Sequence, residues 1–193
     1  INAALADHDQ WLPLDPPWAD RATIGGIVAT NDSGPSRHRH GAPRDLIIGC
    51  NFVLSDGQVA KSGGIVVKNV AGYDLARLLT GSFGCLAVIT SATFKLAPRA
   101  PSSRTVSIQL ESISEMTPVL ARLANSSLTP SAVELEWPPA MVHVRFESVE
   151  PSVDQQSLEV RRLFEGLGTV QMTGSDDESH LWARYTRHWD LPG

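Results

Sequence analysis

Cysteine is scarce in this sequence: Cys50 and Cys85 are the only two in 193 residues, and neither belongs to a CxxC or CxH spacing. A disulfide scaffold and a zinc site are therefore not expected, and both thiols read as small buried hydrophobes in a reducing compartment. Long hydrophobic runs are missing too. The most apolar stretches, such as Leu86-Ala87-Val88-Ile89, fall far short of the roughly 20 residues that a membrane-spanning helix requires. Nor is there an excess of positive charge: the formal net charge is −5, whereas a nucleic-acid partner calls for a basic surface. No GxGxxG joins a strand to a helix, no Walker A loop occurs, and no internal repeat is found. What remains, 42% hydrophobic and 19% charged residues, suits a globular chain able to bury a core as one large domain or two small ones.

The chain opens on Ile1-Asn2-Ala3-Ala4, neither a methionine start nor a signal peptide, and Leu5-Ala6-Asp7-His8 reads as the tail of a helix. A piece of a longer protein is expected, its N-terminal segment removed and its C-terminus also cut. Composition changes near Pro98-Arg99-Ala100-Pro101, a plausible linker after a strand. Before it lie most of the glycines. There, residues 46–54 read as a buried strand, Asp56-Gly57 as a two-residue hairpin turn, and Gln58-Val59-Ala60-Lys61 as the return. Ile65-Val66-Val67 makes another strand. Asp74 caps a short helix with Leu75, Leu78 and Leu79 on one face and Gly81 as its stop, and residues 86–96 form a last strand.

After the linker the periodicity is cleaner. Val106, Ile108 and Leu110 alternate with polar residues, as do Val133, Leu135 and Trp137, then Val142, Val144 and Phe146. Residues 116–125 are helix-like, with Pro118 in the first turn. Ser152-x-x-Gln155 reads as a capping box for a helix whose stripe is Val160, Leu163, Phe164 and Leu167, and residues 169–172 offer a fourth strand. The order β-α-β-β-α-β predicts a ferredoxin-like layer with helices on one face of an antiparallel sheet. Residues 181–189 predict a further amphipathic helix.

The chemistry is expected in residues 15–35, where Gly, Ala, Ser, Thr and Asn stand in place of bulk. Such a segment brings bare backbone N–H groups close to a flat or phosphorylated ligand, although Gly25-Gly26 also reads as a simple tight turn. Two further stretches follow, Lys68-Asn69-Val70-Ala71-Gly72-Tyr73-Asp74-Leu75 and Gly81-Ser82-Phe83-Gly84-Cys85-Leu86-Ala87-Val88-Ile89-Thr90. In order and approximate spacing the three resemble the PCMH-type FAD-binding domain of the vanillyl-alcohol-oxidase superfamily. Its hallmarks are (A/S)T-x-GG-x-(I/V)-A-T-N-x-x-G, then KN-(V/T)-x-GYDL, then GS-x-GTLG-(V/I)-IT. The KNVAGYDL form, with Gly63-Gly64 before it, looks most like the E-subunit family of bacterial glycolate oxidases; the D subunits and D-lactate dehydrogenases share much of it.

The resemblance covers residues 5–98 well and the rest weakly. It implies an α+β fold: residues 1–98 as the second subdomain of a PCMH-type FAD-binding domain, an antiparallel sheet with flanking helices. Residues 99–193 would form a ferredoxin-like cap on the substrate side, and the N-terminal subdomain, with its pyrophosphate loop, is missing. Carried over by position, it sets Asp15, Ala22, Thr23, Thr30, Asn31 and Ser33 around FAD, with Gly25 and Gly26 allowing close backbone approach. Residues from Gly84 to Ile89 would pass beside the adenosine half, the Ile89 backbone near the adenine. Two positions depart from the pattern: Cys85 stands where the family has Thr, and Ala87 where it has Gly. Tyr73 is either a contact or packed beneath the following helix.

The implied activity is oxidation of glycolate to glyoxylate, with hydride passing from C2 of the 2-hydroxy acid to the flavin. The implied partners are a D-type flavoprotein subunit and an iron–sulfur subunit that holds the only clusters. The implied location is cytoplasmic, with a peripheral place at the inner membrane through the complex. FAD itself would be absent from so short a piece. No catalytic base is identified, and the HxGDGNxH-type motif of the D-2-hydroxyacid dehydrogenase cap does not occur. An electron-relay or stabilising subunit, a stand-alone oxidase of another alcohol or hydroxy acid, and a flavin-free scaffold stay open beside it. Arg37-His38-Arg39-His40 reads as a solvated basic loop or an anion contact. His143 has no metal-ligand spacing around it, and Trp182, Tyr185 and Trp189 read as helix core or partner surface.

Overall fold

The computed structural model describes residues 1–65, 72–173 and 175–186. They divide into two compact units, one built on Ile1–Arg99 and the other on Ala100–Arg184. No helix among the described residues is long and apolar enough to cross a membrane.

The first unit starts with α1 (Asn2–Ala6) and a short ribbon of β1 (Gln10–Trp11) with β5 (Ala97–Pro98). The side chain of Asn2 brackets Leu12, donating to its carbonyl at 3.1 Å and accepting from its N–H at 2.8 Å. The main sheet has the order β3-β2-β4, formed by β2 (Ile47–Val53), β3 (Val59–Gly63) and β4 (Val88–Phe94), all antiparallel. Its centre is β2, where Ile47, Cys50 and Phe52 are buried together with Val28 of α2 (Ile24–Thr30) and with Ala76 and Leu79 of α5 (Leu75–Leu79). Two single turns, α3 (Arg37–His40) and α4 (Pro43–Leu46), lead into β2.

Several expectations need correction here. The β2–β3 connection runs over residues 54–58, and its Leu54–Gln58 pair encloses three turn residues, not two. Leu54 donates to the Gln58 carbonyl at 2.9 Å, Gly57 donates to Leu54 at 3.0 Å, and Gly57 takes φ +86, a bulged turn that only glycine enters cheaply. Asp74 does cap α5, accepting the Arg77 N–H at 3.1 Å. The inward face of that helix is Ala76 and Leu79, while Leu78 is exposed, because a helix this short turns position 78 away from the sheet. Cys50 is buried but Cys85 is exposed. The strand expected at residues 65–67 falls mostly on residues 66–71, outside the described residues.

The second unit matches its predicted element order: β6 (Ser102–Gln109), α6 (Met116–Ala124), β7 (Ala132–Glu136), β8 (Met141–Ser148), α7 (Glu150–Leu163) and β9 (Thr169–Thr173). The sheet order is β7-β8-β6-β9 with every pair antiparallel, the ferredoxin-like arrangement. Val106 pairs with Val144, and Ile108 with Val142; these side chains and Phe146 meet Val119 of α6 and Val153 and Val160 of α7. α7 begins two residues before the expected cap. Pro151, whose fixed φ and missing N–H suit a first turn, lies within it, so Ser152 is already helical. The reciprocal box stands instead at Ser112 and Glu115, in the 3-10 turn that precedes α6.

The helices are not confined to one face. α8 (Ser175–Thr186) lies on the other, where alternate residues of β6 and β8 would otherwise meet water. Thr105, Ser107 and His143 are consequently buried, and so is Trp182 of α8. Residues 187–193, including Trp189, lie outside the described residues.

Candidate functional site

The glycine-rich stretch folds as a helix rather than as an open loop. Thr23 is the reason at its start: its Oγ1 accepts the Gly26 N–H at 3.1 Å and caps α2. Ile27 and Val28 supply the buried side. A Cβ at position 25 would sit 3.4 Å from the Ile89 carbonyl oxygen, in ordinary contact, so α2 rests on the beginning of β4. The helix closes at Asn31, in the left-handed region with φ +59. Thr30 Oγ1 donates to the Gly26 carbonyl at 2.9 Å and accepts from Asp32 N–H at 3.3 Å.

The third motif packs onto the same helix. Gly81 N–H donates to Val28 carbonyl at 3.0 Å, and Phe83 N–H to Ala29 carbonyl at 2.8 Å, satisfying acceptors that a helix end leaves open. Gly81 turns with φ +80, its Cβ position 3.6 Å from Asn31 Cβ. Phe83 and Gly84 follow with φ +54 and +76, both exposed, and nothing would meet a Cβ at Gly84. Ala87 is buried and needs no positive φ, so its replacement of the family glycine is harmless. Phe83, Leu86 and Val88 leave a surface with exposed apolar side chains.

Of the residues named from sequence, Thr23, Gly25, Gly26, Thr30 and Asn31 lie on α2 or its ends, and Ile89 lies against it. Ala22 is exposed just before the cap. Asp15 and Ser33 stand on the adjoining segments: the Asp15 carboxylate accepts Gly34 N–H at 3.1 Å and Ser36 N–H at 2.9 Å. Burial pushes the Asp15 carboxyl above its ordinary value despite the opposing pull of those hydrogen bonds. The Lys68-Asn69-Val70-Ala71 part of the second motif lies outside the described residues; Tyr73 is 91% exposed and so does not pack beneath α5. Arg37, His38 and Arg39 are exposed on α3.

Sequence reasoning overlooked Ser82. Its Oγ, like that of Ser33, is buried without a hydrogen-bond partner among the described residues, a costly state that a ligand acceptor or donor relieves. The signal available was a hydroxyl wedged between the two glycines of the third motif. Together these features suit FAD: exposed apolar side chains for a flat ring, bare glycine backbone, and unspent hydroxyls for its polar chain. The residues present fit the group.

The polar face of the second unit is a different kind of cluster, closed on itself. Glu178 accepts from Ser103 Oγ and Thr105 Oγ1, each at 2.6 Å, and lies 3.6 Å from Arg145 Nε. Trp182 Nε1 donates to Thr105 at 2.8 Å, and the Arg145 guanidinium stands 5.7 Å from the Trp182 ring. His143 pairs through Nδ1 with Ser107 at 2.7 Å and faces Glu136 at 3.4 Å, with Arg184 on the far oxygen of Glu136 at 2.5 Å. Burial lowers the His143 pKa, against the raising effect of Glu136. No group of three or more His, Cys, Asp or Glu suited to a metal ion occurs among the described residues.

Comparison with known proteins bears on the first unit most directly. Residues 1–73 match the FAD binding domain family. Glycolate oxidase subunit GlcE of Escherichia coli (strain K12) is 44% identical over 121 residues, covering 60% of this chain and 34% of that protein. Glycolate oxidase subunit GlcD of Bacillus subtilis (strain 168) is 34% identical over 140 residues, or 72% and 30% of the two chains. The D-lactate dehydrogenase of Archaeoglobus fulgidus is 36% identical over 118 residues, or 61% and 26%. This chain thus spans about a third of the length of the first two curated relatives. A solved structure of an alkyldihydroxyacetonephosphate synthase matches 98% of this chain and 40% of its own with a TM-score of 0.77, at 16% identity, a likeness of fold. Residues 1–73 therefore belong to the FAD binding domain family, and the chain has the PCMH-type FAD-binding fold.

Proposed function

We propose that this chain is part of the FAD-binding subunit of a glycolate oxidase, an FAD-dependent oxidoreductase acting on a small 2-hydroxy acid. The observation that carries the reading is the joining of two glycine motifs on α2: Gly25 under the Ile89 carbonyl at one end, and Gly81 and Phe83 bonded to its carbonyls at the other. The 44% identity to an E subunit points to glycolate within the wider class of 2-hydroxy acids.

FAD, when bound, accepts the hydride that leaves C2 of the hydroxy acid. The chain's own residues bind and shield. The hydroxyls of Ser33 and Ser82 offer hydrogen bonds, the Gly84 backbone permits close approach, and Phe83 and Leu86 exclude water from one side of the ligand. Binding residues of the proposed site are thus Thr23, Gly25, Gly26, Asn31, Ser33, Gly84 and Ile89, with Asp15, Ala22 and Thr30 supporting them. The proposed assembly adds a D-type flavoprotein and an iron–sulfur subunit, in the cytoplasm or at the inner membrane through that complex.

Purification of the full-length protein tests the reading. The visible absorption of oxidised flavin is expected to accompany it, and anaerobic glycolate is expected to bleach that band. A full-length protein that neither retains nor takes up FAD ends the proposal. Bleaching only when the D-type subunit is present would assign this subunit to electron relay instead of substrate oxidation.

A further inference from the structure

Asp15 differs from the other residues set around the cofactor, because both of its carboxylate oxygens are already engaged by the chain. Oδ1 takes the Gly34 N–H and Oδ2 the Ser36 N–H. The backbones touch as well: a Cβ on Gly34 would lie 2.1 Å from the Asp15 carbonyl oxygen. On the other side of the same segment, Asn31 Oδ1 accepts the Arg44 N–H at 3.1 Å. Ser33 lies between these two clasps, its Oγ buried and without a hydrogen-bond partner among the described residues. Only a carboxylate meets both amides as an acceptor; an asparagine of the same shape would set an NH2 group against one of them.

We propose that Asp15 is a positioning residue: by holding the Gly34 and Ser36 amides it fixes residues 31–36 so that the Ser33 hydroxyl is kept for the ligand, and it makes no contact with that ligand itself. This rests on the reading of the first unit as an FAD site. Asp15 acts through Ser33, so the two positions are coupled in binding.

The experiment titrates full-length apoprotein with FAD, following flavin fluorescence, for wild type, Asp15→Asn, Ser33→Ala and the double variant, with amide hydrogen exchange read in parallel. Loss of a charge-assisted hydrogen bond predicts FAD binding weakened about ten- to hundredfold in Asp15→Asn. Exchange at Gly34 and Ser36 should quicken while β2 keeps its protection, and the absorption spectrum of the saturated variant should match wild type. Ser33→Ala should add little in the Asp15→Asn background. Wild-type affinity in Asp15→Asn, unchanged exchange at 34 and 36, or full additivity of the two substitutions would overturn the proposal. Wild-type protein that binds no FAD removes the cofactor reading itself; wild type that binds beside an indifferent Asp15→Asn removes only the positioning role. Should Asp15→Asn also lose β2 protection, Gly34→Ala, which pushes the segment off Asp15 with its carboxylate intact, carries the test with the same expected outcomes.

Discussion

The two units spend their side chains differently. In the second, Val106, Ile108, Val142, Val144 and Phe146 are fully buried on one face of the sheet, and on the opposite face Ser103 and Thr105 are matched by α8 while Ser107 and His143 pair with each other. In the first, Phe83 and Val88 stand 73% and 67% exposed, while Ser33 and Ser82 have buried hydroxyls without hydrogen-bond partners among the described residues. The second unit keeps one such hydroxyl as well, Ser157 on α7, but both faces of its sheet are covered; the first leaves apolar side chains exposed where its glycine motifs meet. Unspent apolar and polar groups side by side mark a place where a ligand completes the packing.

That contrast can be broken most forcefully in the second unit. Phe146→Ala is expected to cost about 3–5 kcal/mol of stability, because a fully buried aromatic leaves a cavity. Denaturant unfolding followed by intrinsic fluorescence measures it, and a loss below 1 kcal/mol would mean the core is looser than described. Next comes Glu178→Ala, which takes one partner at once from Ser103, Thr105 and Arg145. A loss of about 1–3 kcal/mol follows from their unmet hydrogen bonding, and exchange at β6 amides locates it.

In the first unit the same kind of test should give the opposite sign. Gly25→Ala is expected to raise stability by about 0.5–1 kcal/mol, since helical glycine is entropically costly and a Cβ there meets the Ile89 carbonyl at ordinary contact distance. FAD affinity should nevertheless fall if the Gly25 backbone is where the ligand comes close. Equal affinity would make this glycine a packing residue alone. The mildest perturbation is pH. His143 has a folded pKa below its ordinary 6.5, so its contribution is whole above that value and is lost as pH falls from there through the lowered one. Urea midpoints should decline over that acidic window, and His143→Gln should flatten the decline.

Legibility followed the same division. Alternation in Val106-Ile108 and Val142-Val144-Phe146 named the core strands of the second unit, since a sheet with one greasy face writes its period directly into the sequence. The covering of the other face was not legible. Thr105 looks solvent-facing until Glu178 and Trp182, more than seventy residues on, supply its partners, and Ser107 and His143 look so until they find each other across the β6–β8 pair. In the first unit, glycine content announced a ligand surface but hid the helix, because Gly25 and Gly26 weigh against one and only Thr23 speaks for it. Asp15 carried a family position but not its task, which depends on amides nineteen and twenty-one residues on.

The way α8 is attached has a practical consequence. It is fastened by a carboxylate, two hydroxyls and an indole N–H, with the Trp182 ring buried beside them. Stripped of that helix, the strand face beneath would show Ser103, Thr105, Ser107 and His143 to water, a surface that wets instead of sticking. A chain ending ahead of Ser175 should therefore stay dispersed in solution, whereas one ending ahead of Glu150 would bare Val106, Val144 and Phe146 and clump. For anyone trimming this protein, the end of β9 is the boundary to respect.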